Sequence, residues 1–143
     1  MKEFGIQFGY HNHNFEFATV EGKVPYFDVM LAELDKDLVT MELDMFWTSK
    51  AGHNPVDIIK KYPGRFQLFH LKDMYTREAP FYEVIKTDLA PVGEGVIDFK
   101  SIIDAGDIAG MKYMIVEQDD SRNNTIMQDI KTSFVNLTTK ILV

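Results

Sequence analysis

The chain has no cysteine among its 143 residues, so disulfides, thiolate zinc centres and cysteine nucleophiles are excluded, and any metal must be held by nitrogen or oxygen. Basic residues are in deficit: 15 Lys and Arg stand against 22 Asp and Glu, a net charge of −7. The acids are scattered, and no basic patch offers itself to nucleic acid or to an anionic membrane. Long apolar runs are missing too. None approaches the roughly 18–20 residues of a membrane helix, and the opening MKEFGIQFGYHNH is too polar for a signal peptide. These absences lead us to expect a cytoplasmic chain with no membrane partner. Histidine is scarce, with 4 residues, yet two of them sit one residue apart in YHNHNFEF, at 10–17.

What is present suits one globular domain over 1–143, with 45% hydrophobic and 26% charged residues. Short apolar segments at 4–10, 39–46, 66–73 and 112–119 read as buried strands. Helical patterns lie between them. Over 25–34, Phe27, Met30, Leu31 and Leu34 share a face; over 54–62, Asn54 caps and Pro55 fills the first turn. Asp98 caps a third helix that Gly106 stops, and a last helix runs from near Ser121 with Ile126, Ile130, Phe134, Leu137 and Ile141 as its buried stripe. Alternation of this kind implies parallel strands joined by helical crossovers. The long 74–97 connection, with a short helix expected around 79–86, is marked for function by its length.

Ligands of parallel α/β folds gather at the carboxyl ends of the strands. Those ends carry His11, His13 and Glu16; then Glu42 and Asp44; then His70, Lys72 and Asp73; then Glu117, Asp119 and Asp120. Imidazoles mixed with carboxylates suit one divalent ion of the Mn²⁺, Zn²⁺, Co²⁺ or Fe²⁺ type. Such an ion can grip a hydroxycarbonyl and acidify the carbon beside it, so that a carboxylate or lysine moves the proton. Around this group, Trp47 and Phe46 read equally as core or as a wall for a sugar face, and Lys50 as solvated or as a substrate contact. Gly93-Glu94-Gly95 reads as a tight turn or as a holder of a hydroxyl or anionic group, and His53 belongs to the capping region before Asn54.

YHNHNFEF, ELDMFWTSKAG, FHLKDM, VGEGVIDF and IVEQDD together resemble, in order and over nearly the whole chain, the sugar phosphate isomerase/epimerase family, the xylose isomerase-like TIM barrels. The resemblance implies the C-terminal half of a (β/α)₈ barrel with a single-metal site. It places Asp44, His70 and Glu117 at ligand positions, His11 where many relatives have a glutamate, and His13 towards the substrate, a small sugar or polyol derivative. Trp47, Lys50 and Glu94 complete the candidate substrate contacts. Only Glu117 of the implied pair of basic glutamates is present, which argues against symmetrical two-base epimerisation. The resemblance implies an isomerase/epimerase-like enzyme; one-base isomerisation, or a lyase or hydrolase reaction on an oxidised sugar, fits as well, with Lys72 and Glu16 as further proton carriers. Four strands are half of a barrel, so we expect a homo-oligomer, a missing N-terminal half, or a fragment inactive outside an assembly.

Overall fold

The computed structural model describes residues 2–76 and 88–143. Its centre is a sheet of four parallel strands in the order β1 (Phe8–His11), β4 (Val39–Asp44), β5 (Leu68–Leu71) and β8 (Tyr113–Val116). Two small antiparallel pairs flank it, β2 (Thr19–Val20) with β3 (Val24–Pro25) and β6 (Asp73–Met74) with β7 (Leu89–Ala90). The helices are α1 (Tyr26–Glu33), α2 (Met45–Lys50), α3 (Pro55–Lys61), α4 (Phe99–Asp104), α5 (Gly106–Ala109) and α6 (Ile126–Asn136). This is the alternating α/β arrangement of parallel strands that the sequence pattern predicts, consistent with the half-barrel that the resemblance implies. The short helix expected around 79–86 lies outside the described residues.

Strand alternation sorts the side chains. Met41 and Leu43 of β4, Phe69 and Leu71 of β5, Phe27 and Leu31 of α1, Ile58 and Ile59 of α3, and Phe99 and Ile102 of α4 form one core. Residues in between, such as Glu42, Asp44 and His70, face the other way. Pairing fixes their level: His11 lies opposite Glu42, and Asp44 opposite His70.

Several expected boundaries move for physical reasons. The first strand begins at Phe8 rather than residue 4, because a 3₁₀ turn at Lys2–Phe4 and Gly5 at φ 67° precede it. Met45 and Phe46 belong to α2 rather than to a strand, since Asp44 caps that helix through Trp47 N–H. Gly106 opens α5 instead of ending a helix. The outer strands are not buried: Phe8 on β1 and Tyr113, Met114 and Ile115 on β8 are exposed, as befits sheet edges. Asn54 and Asp98 cap as expected.

Asp73 ties the loop after β7 to the sheet. Its oxygens accept from the N–H groups of Met74, Gly93, Gly95 and Ile97 at 2.8–3.2 Å. Gly95 is required there by space: a Cβ at this position would collide with the Met74 carbonyl and the Asp73 carboxylate.

Candidate metal centre

Three strand ends deliver the centre. His11 ends β1, Asp44 ends β4 and caps α2, and His70 lies within β5; parallel pairing sets Asp44 level with His70 and His11 level with Glu42, two residues earlier on β4. One ligand atom from each of these residues lies within 4.8 Å of the others. Asp44 is 0% exposed. Its Oδ1 accepts from Trp47 N–H at 2.8 Å, while its Oδ2 is buried without a hydrogen bond, 3.5 Å from His11 Nε2 and 3.5 Å from His70 Nδ1. A buried carboxylate oxygen facing two imidazole nitrogens is costly unless a proton or a cation lies between them. Burial pushes the Asp44 pKa well above its usual range, and burial lowers that of His70. Both shifts favour neutral groups until a cation arrives. The mixed nitrogen and oxygen donors fit a divalent ion of the borderline class.

Glu117, the fourth expected ligand, stands one step outside this trio. Its Oε2 lies 3.6 Å from His70 Nε2 and accepts from Lys72 Nζ at 3.0 Å. The lysine draws it aside. Lys72 itself is buried, bonded also to Asp119, with its ammonium over the Phe46 and Trp47 rings at 5.4 and 5.2 Å. Burial works against that charge, but the bonds to Asp119 and Glu117 and the charge of Asp44 outweigh it and raise the pKa. Lys72 is therefore a held cation beside the trio, rather than a free base.

His13 forms the rim. Its ring meets His11 edge-on at 5.1 Å, stacks on Phe15 at 5.6 Å and tilts against Trp47 at 5.1 Å. Burial and the neighbouring His11 lower its pKa. Trp47 is thus both partly buried against the core and part of the site wall. Glu16 is brought near but is engaged otherwise: it is buried, and its two oxygens accept from Tyr10 Oη at 2.8 Å and from His13 N–H at 2.9 Å. It holds the His13 loop in place. Lys50 is buried against Asp88 at 3.4 Å, and exposed Glu94 accepts from Asn136 of α6 at 3.2 Å. Neither makes a contact with the trio among the described residues. His53 packs on Phe17 at 4.8 Å.

One contributor escaped the sequence analysis, and a second, Glu42, was named there at its strand end without a role. Buried Asn12 accepts from Asp44 N–H at 3.0 Å and donates to His13 O at 3.3 Å, pinning both loops; its place between the two histidines, pointing to the opposite side, was the available signal. Glu42 meets His11 Nδ1 at 3.0 Å. Its position two residues before Asp44 on the same strand face marked it.

The family described as xylose isomerase-like TIM barrel matches residues 1–134. The chain belongs to this family. Among curated relatives of this xylose isomerase-like chain, the inosose dehydratase of Clostridium botulinum (strain Alaska E43 / Type E3) is 28% identical over 139 residues, covering 89% of this chain and 46% of that protein. A crystal structure of a sugar phosphate isomerase/epimerase from Parabacteroides distasonis ATCC 8503 superposes with a TM-score of 0.80 at 28% identity, over 97% of this chain and 47% of that one. The fold also matches the IOLI protein, whose structure holds a zinc atom, with a TM-score of 0.69 at 18% identity, over 98% of this chain and 51% of that one. The chain spans about half the length of the relatives it matches. No helix among the described residues is long and apolar enough to cross a membrane.

Proposed function

We propose that this chain carries the metal-binding half of an enzyme that removes water from a cyclic or open hydroxyketone of the sugar or polyol class. The observation that carries this reading is the buried, unbonded Asp44 Oδ2 held 3.5 Å from both His11 Nε2 and His70 Nδ1. His11, Asp44 and His70 would hold one divalent ion. Bound there, such an ion supplies Lewis acidity that makes a C–H next to a carbonyl easier to deprotonate. Glu117, at 36% side-chain exposure, is open to a substrate and takes that proton. The C–H electron pair forms the new double bond, and the hydroxyl that departs from the next carbon takes the proton from Glu117 and leaves as water. The Lys72 ammonium steadies the negative charge that develops between these steps.

Support for dehydration over two-base epimerisation comes from Glu117 alone matching the pair of opposed glutamates that epimerisation would use, and from the relatives named inosose dehydratase. An unphosphorylated substrate is favoured because Lys50 and Lys72 are both committed to carboxylates. Isomerisation of a ketose uses the same first proton transfer and is the second reading, supported by the Parabacteroides likeness.

The test is an assay of the Zn²⁺- or Mn²⁺-loaded protein with an inosose in deuterated water. Loss of a substrate C–H to solvent and formation of an enone are expected, and Glu117→Gln abolishes both. Undiminished exchange in Glu117→Gln removes that residue from the mechanism. Exchange accompanied by a rearranged ketose, without enone, selects isomerisation.

A further inference from the structure

We infer that Glu42 is the positioning residue that sets the tautomer of His11 and so turns its Nε2 lone pair toward Asp44. The inference rests on the metal reading above and extends it to a residue that reaches no reacting atom. A carboxylate can only accept a hydrogen bond. With Glu42 Oε2 at 3.0 Å from His11 Nδ1, the imidazole proton belongs on Nδ1, and Nε2, 3.5 Å from Asp44 Oδ2, is left with its lone pair. The same choice propagates. His11 Nδ1 also lies 3.0 Å from His70 Nδ1, and two N–H groups cannot face each other at that distance, so His70 Nδ1 presents a lone pair as well. The proton of His70 then sits on Nε2, on the side of Glu117 Oε2 at 3.6 Å.

One carboxylate thereby leaves lone pairs on His11 Nε2 and His70 Nδ1, each 3.5 Å from Asp44 Oδ2. Strand pairing makes this possible, since Glu42 is the cross-strand neighbour of His11 and lies two residues before Asp44 on the same face. Outer carboxylates of this kind raise the basicity of a ligating imidazole and fix its plane.

The experiment combines ¹⁵N NMR of the histidine side chains in the metal-free protein with Zn²⁺ titration calorimetry. The wild type is expected to show His11 protonated on Nδ1 and to bind one Zn²⁺. Glu42→Leu should weaken Zn²⁺ binding roughly 10–100-fold. Glu42→Gln, whose amide oxygen accepts the same bond, should lose less and keep the thermal midpoint of the metal-free wild type. A His11 proton found on Nε2 in the wild type overturns the inference whether or not any variant folds. Wild-type affinity in Glu42→Leu, together with loss of Zn²⁺ in Asp44→Asn, overturns it while leaving the metal centre standing. Failure of the wild type to bind Zn²⁺ overturns both.

Discussion

A carboxylate can live in a protein interior only if its oxygens are met by donors, and Asp73, 1% exposed, is met by four backbone N–H groups. Asp73→Asn keeps the shape but swaps one oxygen for an amino group that faces two of those donors. We expect a loss of roughly 2–4 kcal/mol in urea unfolding, with each unpaired N–H costing about 1–3 kcal/mol. Asp28 shows the opposite balance at the surface. Burial alone would raise its pKa, but bonds to Lys61, at 2.7 Å, and to Tyr62 outweigh it and hold the pKa down. A depressed carboxylate adds stability above the ordinary range near about pH 4 and loses it as pH falls through the lower folded value. Lys61 is half exposed, so solvent screens the pair, and Asp28→Asn should cost only about 0.5 kcal/mol at neutral pH. Urea titrations carried down into the acid range should show the difference from wild type closing; a constant or widening gap contradicts the assignment.

The stripe expected on the last helix holds only at its end. Leu137 is buried and Ile141 packs on the core, but Ile126, Ile130 and Phe134 are exposed, Phe134 at 66%, while Ser133 and Asn136 are buried. The reason is polar: Val92 N–H donates to Ser133 Oγ at 2.9 Å, and Asn136 Nδ2 donates to Val92 O at 3.0 Å, so the loop after β7 claims the hydrophilic side. Asn136→Leu strips the buried Val92 carbonyl of its partner and should cost about 1–3 kcal/mol. Phe134→Ser in the isolated chain should change stability by no more than about 0.5 kcal/mol; thermal melts of the two variants decide. Elements whose partners lie inside this chain were legible in the sequence. Alternation found β4 and β5, and Asn54 and Asp98 marked their helices. The trio was legible because ligands of a parallel sheet gather at the carboxyl ends of its strands, where all three residues lie. Glu117, Glu16 and Glu94 were legible only as residue types. What Glu117 and Glu94 do is settled by neighbours remote in sequence, Lys72 and Asn136, and what Glu16 does by how its own loop turns the His13 N–H onto it.

At the scale of the molecule, the sheet stops short on both sides. Among the described residues β1 and β8 have no further strand beside them, and the exposed Phe8, Tyr113, Met114 and Ile115 lie on these edges. We propose that a second copy, or the half of a longer chain that the relatives' lengths leave unmatched, covers these edges. Sedimentation at micromolar concentration should therefore find the isolated chain associated, and a monomer stable to dilution would contradict this. The arrangement of donors on β1, β4 and β5 also bears on how the chain folds. Parallel strands are joined late, after long loops have closed, and a chain with only β4 and β5 paired has Asp44 and His70 but not His11. An ion that needs all three is absent from the climb to the transition state and present once the sheet is complete. It would act as a latch: it would leave the speed of folding nearly untouched and slow the escape from the folded state.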